Sequence, residues 1–210
     1  MGISVHWFRR DLRLEDNAAL HFAIQSANPV LCLFIFDAKI LKDLPKDDAR
    51  VTFIFDVLKE IDTELKKIGS SLLIIKGEAN QVWEEMVSKY QISDVFFNRD
   101  YEPAAIQRDR DVTENLKVHS VSVHSYKDQV IFEENDVLKP DGKPYTVFTP
   151  FKKEWLAKLS DFDVSDFKCS PGNFIKRNFE FPKLEEIGFK RSGTLVKDFD
   201  LTVVDNYADL

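Results

Sequence analysis

"HWFRRDLRLEDNAAL", residues 6–20, is the stretch on which the reading of this chain turns. It continues an apolar run, Ile3 to Phe8, too uniformly apolar for a half-exposed strand, which reads as a strand buried on both faces. After the turn, Asp16 and Asn17 can cap a short helix carrying Leu20, Ala23 and Ile24. Strand, turn and helix in that order open a nucleotide-binding α/β domain. The turn itself is unusual. Such domains turn through glycines, so that backbone can approach a pyrophosphate closely; this chain places Arg9, Arg10, Asp11 and Arg13 there. Side chains of that size forbid the approach. Either side chains hold a ligand here, or the cluster is a set of ion pairs fixing the turn against a neighbouring segment.

Working outward, four more strands follow: VLCLFIF (30–36), SLLIIK (71–76), DVFFN (94–98) and HSVSVHS (119–125). Between them lie helical periods. Residues 50–67 put Ile54, Leu58, Ile61 and Leu65 on one stripe, with Asp62 and Lys66 as an i,i+4 pair and Gly69 as a C′ residue. Residues 81–90 space Val82, Trp83, Met86, Val87 and Tyr90 as a helix, and Pro103 starts another over 103–117. Five alternations predict an α/β fold: a Rossmann-like, open, doubly wound parallel five-stranded sheet with helices on both faces, over residues 1–130. Residues 131–210 read as a long irregular connector, with a Pro-Asp-Gly turn in LKPDGKPYTVF and a short helix in FTPFKKEWLAKL. Nine of the chain's 18 phenylalanines fall between 131 and 189, too many for a solvated linker, so the connector is expected to wrap back over the domain or pack against something else.

The totals narrow the function. A formal net charge of −7 over 210 residues lacks the basic excess of a domain that grips nucleic acid unaided. No apolar run approaches the ~20 residues of a membrane span, and MGISVHWF is not a secretory signal. Cys32 and Cys169 do not make a disulfide framework, which fits a cytoplasmic protein. GxGxxG, GxxxxGK[ST] and GxSxG are absent. His119 and His124 fall on opposite faces of one expected strand, so a shared metal is not expected. Glu84–Glu85 and Glu133–Glu134 read as solvated faces, and Trp7, Trp83 and Trp155 as core aromatics. Open α/β sheets bind ligands beyond the carboxyl ends of their strands, here the segments beginning at Arg9, Asp37 and Arg99. By residues alone this is a small-molecule-binding α/β domain with no visible catalytic centre.

Three blocks add a resemblance. HWFRRDLRLEDNAAL, RDYEPAAIQRDRDV (99–112) and GKPYTVFTPFKKEW (142–155) resemble, in order, signatures of the DNA photolyase/cryptochrome family. The resemblance implies the N-terminal antenna domain of a deoxyribodipyrimidine photolyase. The FAD-binding helical domain, the lesion pocket and the tryptophan relay would lie beyond Leu210, in a chain cut within the connector. It implies repair of cyclobutane pyrimidine dimers by the parent under blue light, damaged DNA as partner through the missing domain, and a monomeric fragment without catalytic residues, DNA binding or stable FAD binding. The alternatives are a cryptochrome-type signalling flavoprotein and a stand-alone nucleotide- or partner-binding domain. An antenna chromophore would be held by Phe36, Asp37 and Ile40 after the second strand, Arg50 and Phe53 on the next helix, and Asp100 and Glu102 after the fourth strand. Ala104 and Ala105 stand where folate-antenna members carry an Asn and an acidic residue, so the resemblance favours a deazaflavin or flavin over a folate. It also favours RRDLR as a charged brace bordering that pocket at most.

Overall fold

The computed structural model describes residues 2–159, 166–169 and 172–194. Its elements are β1 (Ile3–Phe8), α1 (Ala18–Gln25), β2 (Val30–Asp37), α2 (Ala38–Leu41), α3 (Ala49–Lys67), β3 (Leu72–Gly77), α4 (Ala79–Lys89), β4 (Ile92–Asn98), α5 (Pro103–Val118), β5 (Ser122–Tyr126) and α6 (Phe148–Leu159). The five strands form one sheet in the order β3-β2-β1-β4-β5, with every neighbouring pair parallel. The order reverses between β1 and β4, which makes their carboxyl ends the topological switch point.

Alternation along β1 shows why the strands are apolar throughout. Val5 and Trp7 point to one face, where they pack with Val82, Trp83 and Met86 of α4 and Val112 and Leu116 of α5. Phe8 points to the other, with Leu20 and Ala23 of α1 and Val51, Phe55, Leu58, Ile61 and Leu65 of α3. A sheet covered on both faces has no polar side to show. The Asp62–Lys66 pair forms at 2.6 Å, and the Asp62 carboxylate also accepts the Leu72 amide at 3.0 Å, tying α3 to the start of β3.

Local chemistry sets the ends. Asn17 is the residue that caps α1, accepting the Leu20 amide. Gly69 adopts φ 76°, the left-handed conformation that follows a helix end. Its nearest neighbour to an added Cβ is the Lys176 side chain at 3.7 Å, an ordinary contact. Backbone strain alone therefore sets the cost of Gly69→Ala, and urea unfolding should show a loss of about 1 kcal/mol, smaller for Gly69→Asn.

Three readings of the sequence need correction. The fifth strand starts at Ser122: His119 caps α5 and Ser120 turns through φ 59°, so His119 and His124 do not share a strand. Trp7 and Trp83 meet edge-on in the core at 5.6 Å, whereas Trp155 sits on α6 against Phe132, outside both core clusters. Glu133 is not a solvated face, because it accepts from Arg99 Nε at 2.6 Å and from the Tyr101 hydroxyl at 2.8 Å.

Beyond β5, the Pro-Asp-Gly turn closes with the Gly142 amide on the Lys139 carbonyl at 2.9 Å and Gly142 at φ 77°. Farther on, the chain returns to the sheet. Phe174 bridges Val30, with amide bonds Val30→Asn173 at 2.7 Å and Ile175→Val30 at 3.0 Å. Leu184, Ile187 and Phe189 are buried with Phe55 and Leu58 of α3. Residues 195–210, read as the connector's end, lie outside the described residues.

Candidate functional site

The arginine-rich turn fills the switch point. Arg9 follows the last residue of β1 and folds inward: its side chain is 5% exposed, lies 5.3 Å from the Trp7 ring centroid and 4.6 Å from that of Phe97, and pairs with Asp109 of α5 while donating to the Asn98 carbonyl. Burial pulls the Arg9 pKa below its ordinary value, and Asp109 opposes that shift. Asp109 also receives Arg108 at 3.2 Å. Arg13 reaches across to Asp128, just past β5, with both carboxylate oxygens at 2.9 Å.

Asp11 is the centre of a second layer of buried hydrogen bonds. Its Oδ1 accepts the Arg9 amide at 2.9 Å, and its Oδ2 accepts Asn98 Nδ2 at 2.6 Å and Asn17 Nδ2 at 3.1 Å. Asn98 Nδ2 further donates to Asn17 Oδ1 at 2.9 Å. All three residues are buried. A buried polar network of this kind rigidifies only because each member is satisfied.

This arrangement has a direct chemical consequence. In dinucleotide-binding folds the free amides at the start of the first helix point at the pyrophosphate. Here Ala18 N donates to Asp128 Oδ1 at 3.1 Å, Ala19 N to Asn98 Oδ1 at 2.9 Å and Leu20 N to Asn17 Oδ1 at 3.0 Å. Side chains of the protein occupy the place of the phosphate oxygens. The helix amides are thereby committed, and a ligand has to sit farther out, along the rim of the strand ends.

Two groups of residues line that rim. After β4, Asp100 is nearly buried and Glu102 exposed, and Arg10 joins them, at 3.3 Å from Asp100 and 2.6 Å from Glu102. The Glu102 bond is the chief reason the Arg10 pKa rises. After β2, Asp37 caps α2 by accepting the Lys39 amide at 2.9 Å, and Ile40 on α2 is 59% exposed. On the first two turns of α3, Phe53 is 47% exposed, and Arg50 is held by the helix's own cap, with Nη2 2.6 Å from Asp48 Oδ2. That bond keeps the Asp48 carboxyl down at about 2. Phe36 lies in the core, edge-on to Phe34 at 4.9 Å.

The structure thus brings Asp100 and Glu102 together through Arg10, and sets Asp37, Ile40, Arg50 and Phe53 on adjoining elements. Among the described residues, no hydrogen bond or ion pair joins the two groups. Exposed apolar surface from Ile40 and Phe53 after β2, and a cation flanked by two carboxylates after β4, are the kinds of group that suit a planar ligand with polar edges. Tyr101 faces away: it donates to Glu133, and burial together with that carboxylate pushes its pKa up to about 12. Asp100 also borders an open depression of about 290 Å³ on the α5–β5 side, with Ile106, Arg110 and Lys117. Among the described residues no group of three His, Cys, Asp or Glu could hold a metal ion. Sequence reasoning did not single out Asn98, Asp109 or Asp128, and took Arg10 as part of a charged brace bordering the pocket at most. The one available signal was Asn98, a polar residue ending an apolar strand run.

Comparison with known proteins identifies the family and the fold. A family model described as DNA photolyase matches residues 4–171. The deoxyribodipyrimidine photo-lyase of Synechococcus sp. (strain ATCC 27144 / PCC 6301 / SAUG 1402/1) is 32% identical over 195 residues, which cover 89% of this chain and 40% of that protein. Cryptochrome-1 of Rattus norvegicus is 28% identical over 204 residues, covering 92% of this chain and 35% of that protein. The crystal structure of an archaeal photolyase from Sulfolobus tokodaii with two FAD molecules, implicating a novel light-harvesting cofactor, superimposes with a TM-score of 0.72 at 27% identity, over 91% of this chain and 43% of that one. The chain spans less than half the length of these three relatives. With four-fifths of its residues inside the matched region and the same parallel five-stranded α/β architecture, the chain belongs to the DNA photolyase family.

Proposed function

We propose that this chain is the light-harvesting half of a DNA photolyase that repairs cyclobutane pyrimidine dimers with blue light. The observation that carries the reading is the Arg10 clamp: in a chain of this family, Arg10 pairs with Asp100 and Glu102 at the switch point, while Ile40 and Phe53 stand exposed after the neighbouring strand β2. An antenna chromophore, when bound there, supplies absorption and passes excitation on without bond chemistry. The protein's own work is positional. Ile40 and Phe53 offer apolar surface to a ring system, Asp37, Asp100 and Glu102 accept its polar edges, Arg10 holds Asp100 and Glu102 in place, and Arg50 braces the Asp48 cap at the start of α3. The buried Asp11–Asn98–Asn17 layer keeps the floor rigid. No titrating group is required.

A deazaflavin or flavin fits better than a folate. α5 opens with Pro103, Ala104 and Ala105, which present no side-chain donor or acceptor to a pterin. The second FAD of the Sulfolobus tokodaii photolyase supports a flavin in this role. Damaged DNA and the catalytic FAD would belong to a helical domain outside these 210 residues, and the net charge of −7 suits a half that does not grip DNA. The thiols of Cys32 and Cys169, both free, suit a reducing cytoplasm.

The test uses the full-length protein with a thymine-dimer oligonucleotide, assayed for restored thymines in blue light and in the dark. Light-dependent restoration is expected. A folded, FAD-bearing protein that leaves the dimers intact would replace the reading with the cryptochrome one, to which the match with rat cryptochrome-1 also points. This chain alone is expected to show neither repair nor retention of FAD in a dimer-repairing pocket.

A further inference from the structure

We infer that residues 189–192 of the connector form a clip that positions the chromophore-bearing start of α3, with Arg191 as a positioning residue of that site; this rests on the light-harvesting reading above. The segment 46–56 spans the approach to α3 and its first two turns, and carries Arg50 and Phe53. Its outer side is held by the returning connector. The Lys190 amide donates to the Lys46 carbonyl at 2.8 Å, and the Ser192 amide to Thr52 Oγ1 at 3.0 Å. Arg191 grips Asp56 with two parallel bonds, Nη1 to Oδ2 at 2.8 Å and Nη2 to Oδ1 at 2.7 Å. Lys46 Nζ lies 5.4 Å from the Phe189 ring centroid, and Lys190 Nζ 3.7 Å from Asp47.

The geometry makes these contacts directional. Asp56 lies three residues beyond Phe53, one helical turn along the same side, so a fork fixed on Asp56 fixes the rotation of the turn that presents Phe53. Thr52 is 2% exposed, so its hydroxyl has no water to replace the Ser192 amide. Behind the clip, Leu184, Ile187 and Phe189 are buried with Phe55, and Gly188, at φ 90°, makes the bend that returns the chain to α3. The stretch leading into α3 adds short-range turn bonds of its own, Leu44→Leu41 and Asp48→Pro45. The sheet supports β2 and α3's buried stripe; the connector fixes the face where a ring system would lie. Occupancy of the rim and docking of the connector are therefore linked through this clip.

Arg191 and Asp56 are 50% and 41% exposed, so their pair contributes little to global stability and Arg191→Ala should leave the fold intact. The experiment measures FMN binding by the 210-residue chain from quenching of flavin fluorescence, and amide hydrogen exchange across residues 46–56, for the wild type, Arg191→Ala, Arg191→Lys and the charge-swapped Asp56→Arg/Arg191→Asp. Arg191→Ala should weaken FMN binding about 3-fold and speed exchange over residues 49–53 at an unchanged denaturation midpoint. Arg191→Lys, which keeps the charge and loses the fork, should restore binding in part, and the swap should restore most of it. Wild-type FMN affinity in Arg191→Ala overturns the positioning role and leaves the light-harvesting reading standing. A wild-type chain that binds neither FMN nor an 8-hydroxydeazaflavin overturns both.

Discussion

Asp109→Ala should lower the unfolding free energy by about 3–5 kcal/mol, the cost of leaving a buried guanidinium without its carboxylate. Arg9 is the reason. Its side chain is 5% exposed, its Nε has no hydrogen-bond partner, and its remaining anchor after the substitution is the Asn98 carbonyl. Arg108 aggravates the loss, because it shares the Asp109 oxygen and lies 5.2 Å from the same Trp7 ring centroid that Arg9 covers at 5.3 Å. Two cations would then face one indole with no anion between them. Water cannot enter readily to compensate, since Trp7 and Phe97 wall the site. Urea unfolding at pH 7 reads the effect directly. Glu64→Ala provides the contrast: its pair with Lys67 is 54% and 63% exposed, and its removal should change stability by less than about 0.5 kcal/mol. Replacing both partners, Arg9→Met with Asp109→Leu, should recover most of the loss, because the large term is the unpaired charge and not the missing attraction. Equal effects of Asp109→Ala and Glu64→Ala would mean that Arg9 is solvated after all.

How much of this was legible beforehand follows from where each contact closes. The strands were legible because burial on both faces forces unbroken apolar runs, and the α3 stripe because a single core face demands the 3.6-residue period. Helix α2 was not, since four residues carry no period. The start of β5 was misread because Ser120 to Val123 alternate in polarity like a strand, yet α5 runs on to Val118 and Ser120 terminates it in the left-handed region. The charged turn announced itself as an anomaly, and the ion-pair alternative accounts for what Arg9 and Arg13 do. Their partners could not be named from the sequence: Asp109 lies 100 residues from Arg9, and Asp128 115 from Arg13. Only the parallel order β1-β4-β5 brings them together. The proposed chromophore rim came from resemblance, and the residues show why: Asp37, Arg50 and Glu102 are individually ordinary caps and surface charges. Arg10 gives Asp100 and Glu102 a common purpose, and that contact spans the switch point.

The second large effect concerns pH. His6 lies on β1 with no exposed surface, edge-on to Phe8 at 4.3 Å, and neither ring nitrogen has a hydrogen-bond partner. Burial dominates its titration and lowers its pKa from 6.5 to about 4; Asp11 pulls it up and Arg9 pushes it down by smaller amounts. Well above pH 6.5 the imidazole is neutral in both the folded and the unfolded chain, and His6 adds no pH dependence. Between pH 6.5 and 4 the unfolded chain binds a proton that the folded chain refuses, so stability must fall as pH falls. A shift of that size corresponds to about 3 kcal/mol across the window. Carboxylates titrate over part of the same range, so the measurable quantity is a difference. His6→Leu fills a similar volume, carries no proton and removes two unsatisfied nitrogens. It should be no less stable than the wild type at pH 7 and should gain on it steadily, reaching an advantage larger by about 3 kcal/mol at pH 4. Parallel stability profiles for the two proteins would show that the folded chain protonates His6 as readily as the unfolded one does. In that case the strand must open, or admit water, near the switch point at mildly acidic pH.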